Sequence, residues 1–318
     1  MTPLEIVPFA DEHLDDAAGL LAARQARHRQ AEPLLPAGVD FRAEVEALLV
    51  KEGAAGAIGL RGGRAVGYVL ATRLAEEIWG ANAWVELAGH AVEEPEDIRD
   101  LYEFAAAGWV DEGRTRHYVY VPSSDRGLVD AWFRLGFGAQ HAFGIRELAD
   151  DAPAAMPGVV AREADERDIE PLVRLAPLLN QHQSLSPVFA AVPWTETSEE
   201  LRAEIYEDLD NPDVANLVAE VDGEVVANFV VTPLEMSRTH VGVARPAGVA
   251  FLGYAITHPD ARGTGAGLAL TSAAFAWARA RDYRAMSTDW RVTNLLASRF
   301  WPRRGFQTTF LRMYRSIP

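Results

Sequence analysis

The sequence AFLGYAITHPDARGTGAG, residues 250–267, decides how the rest of the chain is interpreted. It begins as an apolar run of β character, breaks at His258-Pro259, passes through a glycine-rich turn at residues 262–267 and opens a helix at Leu268. Glycines let a backbone approach a ligand closely, and the free N–H groups and dipole of a helix start favour negative charge. The stretch therefore predicts a strand–turn–helix unit that can bind phosphate.

Two common phosphate-binding patterns do not fit this turn. A P-loop needs Lys and then Ser or Thr after its last glycine, whereas Leu268 and Ala269 follow Gly267. The dinucleotide fingerprint needs three spaced glycines, and here Arg262 occupies the first position. A turn that needs glycines for its geometry alone remains open as the alternative.

The segment Arg-x-x-Gly-x-Gly that begins at Arg262, followed downstream by Asn294-x-x-Ala297 and Gly305-Phe306, resembles the GNAT N-acetyltransferase superfamily. This resemblance implies an α/β fold of the α+β type, with a mixed sheet flanked by helices and a loop that wraps the pyrophosphate of acetyl-CoA. It implies that backbone N–H groups before the loop bind the thioester oxygen and that an asparagine lies beside the pantetheine. The implied cofactor-binding residues are Ala255, Ile256, Thr257, Arg262, Gly263, Thr264, Gly265, Ala266, Gly267 and Asn294.

The first half of the chain repeats the second. When Gly136-Phe137 is aligned with Gly305-Phe306, Trp132 falls on Trp301. The same order of strand and helix patterns, including a β-hairpin with a glycine turn, occurs in both halves. The sequence predicts an internal duplication into two tandem GNAT-like domains, each a twisted mixed sheet flanked by helices. Their predicted bounds are residues 1–148 and 159–318, with a polar, Pro- and Gly-rich linker at 149–158.

The two copies differ at the turn. The positions that match residues 262–267 in the first half are 93–98, with the sequence Glu-Glu-Pro-Glu-Asp-Ile. Carboxylates at a helix start satisfy the N–H groups and the dipole themselves, and they repel phosphate. The first copy is therefore predicted to be degenerate and not to bind CoA. Two roles remain open for it: shaping the acceptor cleft, or structural support.

Composition limits the function classes. Of 318 residues, 49% are hydrophobic and none is cysteine, which excludes disulfides, thiolate metal sites and a cysteine nucleophile. No histidine pair has the spacing of a zinc motif, so no metal is expected. There is neither a basic and apolar leader nor an apolar run of about 18 residues, so we expect a soluble, cytoplasmic protein, either a monomer or a homodimer.

The charge distribution indicates which kinds of partner the protein can bind. The net charge of −16 argues against a nucleic-acid or anionic-membrane surface. Residues 251–318 carry 10 Arg against 3 Asp, so the excess of acid lies in the rest of the chain. A basic C-terminal segment suits an anionic cofactor, and the acidic remainder favours a cationic small-molecule amine as acceptor. The alternative is that the surplus acid only keeps the surface soluble.

The catalytic groups are less clear. In the family, a Glu on the strand often acts as base, and a Tyr after the Asn motif often protonates the thiolate; here these positions are Gly253 and Trp301. Asp289, just past a predicted strand, is the candidate base, with an Asx cap or an ion pair as the alternative. Tyr254 is the candidate proton donor, with a core aromatic as the alternative. Three histidines are expected to be structural: His182, His240 and His258.

These observations predict an acetyl-CoA-dependent N-acetyltransferase that moves an acetyl group by direct attack to a primary amine of a small molecule or a peptide. Two alternatives remain. One is a non-catalytic acyl-CoA-binding or regulatory protein, which the residues at positions 253 and 301 favour. The other is a tandem acetyltransferase of the mycothiol synthase type, acting on one dedicated amine. The sequence does not distinguish the acceptor or the length of the acyl chain.

Overall fold

The computed structural model describes residues 3–149, 156–190 and 194–318. The described residues form thirteen strands and eight α-helices. The strands are β1 (Glu5–Pro8), β2 (Ala55–Arg61), β3 (Arg64–Ala71), β4 (Asn82–Val85), β5 (His90–Val92), β6 (Arg116–Pro122), β7 (Gly138–Glu147), β8 (Val159–Glu163), β9 (Ala215–Val221), β10 (Glu224–Pro233), β11 (Val249–Thr257), β12 (Ala285–Arg291) and β13 (Gln307–Ser316). The helices are α1 (Leu14–Ala31), α2 (Phe41–Leu49), α3 (Asp97–Asp111), α4 (Arg126–Arg134), α5 (Ile169–Ser184), α6 (Ser198–Asp210), α7 (Ala266–Arg279) and α8 (Ala297–Arg303).

The chain divides by its internal contacts into two compact units. Unit 1 contains Met1–Phe143, His240–Pro246 and Thr308–Pro318, and unit 2 contains Gly144–Thr239 and Ala247–Gln307. The predicted domains have other bounds, residues 1–148 and 159–318. The difference has a physical reason in unit 1, where Val243 and Phe310 are fully buried in an apolar cluster with Leu35 and Tyr118. The bounds of the two repeats stay a prediction, and residues 150–155 of the predicted linker lie outside the described residues.

Unit 1 contains an antiparallel sheet in the order β1-β2-β3-β5. In the same unit β6 pairs in parallel with β4 and antiparallel with β13. Helix α3 has apolar residues at helical spacing, and this face, which includes Ile98, Leu101 and Trp109, is almost completely buried. An α/β arrangement with a mixed sheet was expected from the sequence, and it is confirmed.

Unit 2 contains the strand order β12-β11-β10-β9-β8. The pair β11–β12 is parallel, and the other pairs are antiparallel. Helix α5 packs on β10 and β11, whereas α7 packs on β8 and β9. Leu270, Ala274 and Trp277 on α7 are buried, as their helical spacing predicts.

The bounds of the elements repeat along the chain. The offset that aligns Gly136 with Gly305 also places the first residue of β6 on that of β12, and it does the same for α3 with α7 and for β7 with β13. The hairpin strands β2 and β3 match β9 and β10 at a common, slightly shorter offset. The internal duplication is therefore present in the structure. The second copy has a longer connection between its hairpin and α7, and this stretch includes the segment His240–Pro246 of unit 1.

Two elements differ from the sequence prediction. No strand was predicted at β7, because its sequence GAQHAFGIRE lacks a sustained alternation of apolar and polar residues. The sequence of residues 83–89 predicts one continuous strand, but β4 ends at Val85 and β5 begins at His90. A turn in which Gly89 N–H donates to Glu86 O separates them. None of the described helices combines the length and the apolar character that a membrane span requires.

Candidate functional site

Strand β11 contains a bulge. Leu252 and Tyr254 pair with consecutive residues of β10, so Gly253 between them is an extra residue. Gly253 is exposed, and a Cβ atom built on it would lie 2.7 Å from the ring of Phe251. A side chain at this position would have to displace that ring. The bulge therefore has no room for the glutamate that the family often places here.

Strands β11 and β12 separate after four residue pairs. The last pair is Leu252 with Thr288, and the Thr288 hydroxyl donates a 2.8 Å hydrogen bond to the Leu252 carbonyl. Beyond this point β11 continues to Thr257 and β12 to Arg291, and no pairing between them is recorded in this fully described stretch. The two parallel strands thus open into a gap along the second half of β11.

The backbone of β11 presents N–H groups to this gap. His258 N–H donates to the Val226 carbonyl of β10, and the direction of the N–H groups alternates along a strand. The N–H groups of Ala255 and Thr257 therefore point away from β10. Ile256 points its N–H towards β10 and buries its side chain. Of the three residues predicted to bind the thioester, Ala255 and Thr257 have the suitable backbone orientation, and Ile256 supports the strand.

The loop after β11 takes its shape from glycine and threonine. Gly263 and Gly265 have φ values of +87° and +96°, which L side chains rarely adopt. The Thr264 hydroxyl donates a 2.8 Å hydrogen bond to the Ala261 carbonyl and so holds the loop against the short 3₁₀ turn before it. Glycine is therefore needed in this loop for its positive φ values as well as for close approach of the backbone to a ligand.

Several N–H groups at the start of α7 remain open. Among the described residues, no acceptor is recorded for the N–H groups of Gly263, Gly265 and Gly267, and Ala266 N–H has only a long contact of 3.4 Å. Arg262 is exposed, and among the described residues its guanidinium forms no ion pair. A helix start with open N–H groups, a favourable dipole and an adjacent cation fits an anionic phosphate.

Asn294 lies in the turn before α8 and contacts α5. Its Oδ1 accepts hydrogen bonds from the N–H groups of Leu296 and Ala297, at 3.1 and 3.3 Å, and so binds the backbone where α8 begins. The same Oδ1 lies 3.2 Å from Nε2 of His182, in the last turn of α5. Asn294 is buried and lies in the turn that follows β12.

The predicted catalytic residues occupy different environments. The Tyr254 hydroxyl donates a long hydrogen bond of 3.4 Å to the Ala176 carbonyl of α5. Burial raises the pKa of Tyr254 well above its usual value, so the phenol stays protonated. Asp289 is half-buried on β12, one residue beyond the last pair with β11. Its role as base stays a prediction.

Trp301 occupies the position at which the family often has a tyrosine. Its ring is 5% exposed and packs against Phe229, Phe300 and Phe306. It forms part of the apolar core under α8 and has no hydroxyl that could donate a proton in the way a tyrosine does.

The corresponding helix start in unit 1 is filled by protein. Arg61 forms a bidentate ion pair with the buried carboxylate of Asp97, with distances of 2.5 and 2.7 Å. Glu93 and Glu96 are also paired with arginines of the same unit. The N–H groups of Asp97 and Ile98 donate to carbonyls of the preceding turn. The carboxylates therefore pair with arginines and do not cap the N–H groups of α3, which differs from the sequence prediction; these N–H groups donate to backbone carbonyls instead.

The gap between strands is also filled in unit 1. His90 pairs with Val69 of β3, the strand that matches β10 of unit 2, and it takes the place that Ala255 has beside β10. The Arg24 guanidinium donates 2.5 Å hydrogen bonds to the carbonyls of Leu87 and His90, and His90 Nε2 donates to the Tyr120 carbonyl at 2.8 Å. In unit 1, side chains of the same unit therefore bind the strand edge that corresponds to the open edge of β11 in unit 2.

Comparison with known proteins agrees with this geometry. The family model described as the acetyltransferase (GNAT) family matches residues 179–306. This segment belongs to the GNAT family. The match contains the bulge, the open loop and Asn294, and it lies in the later of the two repeats.

Solved GNAT structures match the whole chain in fold. A GCN5-related N-acetyltransferase from Sphaerobacter thermophilus is 16% identical with a TM-score of 0.60, covering 99% of this chain and 97% of the other. A tandem GNAT protein from the clavulanic acid biosynthesis pathway is also 16% identical, with a TM-score of 0.50 and coverage of 99% and 98%. No curated protein matches the chain significantly by sequence. At this identity the structural likeness shows a tandem GNAT fold.

The sequence does not predict the contact between His182 and Asn294. The two residues are 112 positions apart in the sequence, and no local spacing relates them. The available signal was weak, since a single histidine near the end of an amphipathic helix is ordinary. Only the packing of α5 on β10 and β11 brings the imidazole to Asn294.

Proposed function

We propose that this protein is an acetyl-CoA-dependent N-acetyltransferase whose second repeat carries the site. The acceptor is a primary amine of a small molecule or a peptide. One observation carries the proposal: the open N–H groups at the start of α7 directly follow a strand that has parted from its parallel neighbour. An anionic group and an extended chain can bind side by side at such a place.

Each part of the site has a task in this proposal. Arg262 and the N–H groups of residues 263–267 bind the pyrophosphate of acetyl-CoA. The pantetheine adds along the open edge of β11, where the N–H groups of Ala255 and Thr257 bind it or polarise the thioester carbonyl. Asn294 lies beside this edge. The acceptor amine attacks the thioester directly, because the chain has no cysteine to carry the acetyl group.

The first repeat is not expected to bind acetyl-CoA. Its helix start carries paired carboxylates, and its strand edge is bonded to Arg24. The variants Glu94→Gln and Glu96→Gln should keep a stoichiometry of one acetyl-CoA per chain in calorimetry. Two molecules per chain, in the wild type or in either variant, would contradict a silent first copy.

The acceptor is expected to be cationic. Helix α6 in unit 2 is strongly acidic, with six carboxylates and one arginine. Such a surface attracts amines in their ammonium form. The proposal includes the cytoplasmic location and the monomeric or homodimeric state expected from the sequence.

Release of CoA tests the activity. A thiol reagent detects free CoA without protein background, since the chain has no cysteine. Polyamines, aminoglycosides, amino acids and peptide amines serve as the acceptor panel. Thiol release with at least one amine is expected. Calorimetric binding of acetyl-CoA with no release for any amine would favour an acyl-CoA-binding protein instead.

The phosphate site is tested by charge reversal. Arg262→Glu should weaken acetyl-CoA binding by about ten- to one-hundred-fold, because a charge-assisted contact is worth about 1.5–3 kcal/mol. Arg281→Glu is the matched control. It changes the net charge equally but lies just beyond the opposite end of α7, where its guanidinium stacks on Trp277. Equal effects of both variants would remove the assignment of Arg262.

A further inference from the structure

The side chain of His182 lies where the two sides of the strand gap meet. Helix α5 is attached to β11 through the Tyr254 hydroxyl and the Ala176 carbonyl. Asn294 belongs to the turn after β12. The contact of 3.2 Å between His182 Nε2 and Asn294 Oδ1 therefore connects the β11 side of the gap with the β12 side.

The hydrogen bonds assign the proton on this ring. Asn294 Oδ1 accepts from two backbone N–H groups, those of Leu296 and Ala297, which identifies the atom as the oxygen of the amide. An oxygen can only accept, so His182 Nε2 carries the hydrogen that it shares. The lone pair of the neutral imidazole is then on Nδ1. A side-chain oxygen that holds a histidine in one tautomer is the arrangement by which hydrolases orient a general base.

We propose that His182 is the general base of the acetyl transfer and that Asn294 is its positioning residue. The inference rests on the proposed function. Nδ1 of His182 takes one proton from the acceptor ammonium, and the freed lone pair of the amine attacks the thioester carbon. As the new C–N bond forms and the C–S bond breaks, CoA leaves as a thiolate. The nitrogen then loses a second proton and the thiolate takes one up, so each turnover yields an amide, CoA and one proton.

Other ionisable groups lie on the elements packed around α5. Tyr254 on β11 stays protonated through burial. On α6, burial raises the pKa of Glu204 and Asp208, and Arg202 is paired with Glu170 of α5. Asp289 lies on β12, one residue beyond the last pair of this strand with β11.

The variant His182→Gln tests the assignment, because glutamine can still donate to Asn294 but cannot take up the proton. We expect kcat to fall by about 10²- to 10³-fold, as for loss of a general base, with acetyl-CoA affinity within threefold of the wild type. The acid limb of the kcat profile against pH should disappear in the variant. His13→Gln, in unit 1, is the matched control and should leave kcat and its pH profile unchanged.

Three results would overturn the assignment. One is a His182→Gln variant that keeps kcat within threefold of the wild type. Another is an unchanged acid limb in that variant. The third is a loss of acetyl-CoA affinity in step with kcat, which would make the residue structural. If instead the wild type releases no thiol with any amine, the proposed function itself fails, so the two failures are distinguishable.

Discussion

The three glycines of the loop in unit 2 are expected to respond differently to alanine. Gly263 and Gly265 both have positive φ, so alanine at either position costs about 1–2 kcal/mol of backbone strain. They differ in their surroundings. A Cβ atom at Gly263 would meet no atom within 4 Å, whereas one at Gly265 would lie 3.1 Å from the side chain of Met156. Gly265→Ala should therefore be the more destabilised of the two.

Gly267 provides the control for this series. It lies within α7, and a Cβ atom there would be in ordinary contact with Phe300 at 3.6 Å. Replacing a helical glycine by alanine stabilises a helix by about 0.5–1 kcal/mol. Gly267→Ala should thus be neutral or slightly more stable than the wild type, as measured by urea unfolding followed by circular dichroism.

Binding should follow the backbone strain. If the loop relaxes to relieve alanine at position 263 or 265, at least one open N–H group turns away from the phosphate. The loss of one hydrogen bond to an anion corresponds to about a ten- to one-hundred-fold weaker affinity. Calorimetry with acetyl-CoA should show this loss for Gly263→Ala and Gly265→Ala but not for Gly267→Ala. Wild-type affinity in both strained variants would refute a phosphate site made by this loop.

Two further predictions concern the buried polar groups of unit 1. Arg24→Met removes two hydrogen bonds to carbonyls, worth about 3–6 kcal/mol together, but relieves the burial that lowers the arginine pKa to about 10, worth about 3 kcal/mol. Urea unfolding should therefore show a net loss of up to about 3 kcal/mol in the free energy of unfolding, and a more stable variant would contradict this balance. Burial, followed by the charge of Arg24, lowers the pKa of His28 to about 4, and burial likewise lowers that of His90 to about 3. The unfolded chain binds these protons near pH 6.5, so each group removes about 1.4 kcal/mol of stability per pH unit as the pH falls from 6.5 towards 4. His28→Leu should reduce the slope of unfolding free energy against pH by about one proton in this range; an unchanged slope would show that His28 does not titrate as argued.

The sequence was sufficient where the pattern is local. The βα turn, the hairpins and the offset between the repeats follow from glycine positions and apolar periodicity, which act within a few residues. The contrast between the glycine turn at 262–267 and the acidic turn at 93–98 also needs no structure. These features correspond to a start of α7 with open N–H groups and a start of α3 with arginine-paired carboxylates.

The sequence was insufficient where the geometry depends on distant residues. The bulge at Gly253 follows from the register between two strands, and the orientation of the Ile256 N–H follows from that register too. The contact of His182 with Asn294 and the bonds of Arg24 to the strand edge join segments far apart in the chain. At position 301 the sequence shows only that a tyrosine is absent. The burial of Trp301 among phenylalanines depends on packing.

Each of the two contact units contains residues from both copies, and this limits how the duplicated gene can change in evolution. The core of unit 1 includes Val243 from the middle of the later copy and Phe310 from the final strand. A fragment that stops after the earlier copy would leave its aromatic cluster uncovered and prone to aggregate. Losing the earlier copy would likewise remove packing partners from these same segments. Mutual completion of this kind gives natural selection a reason to retain both repeats.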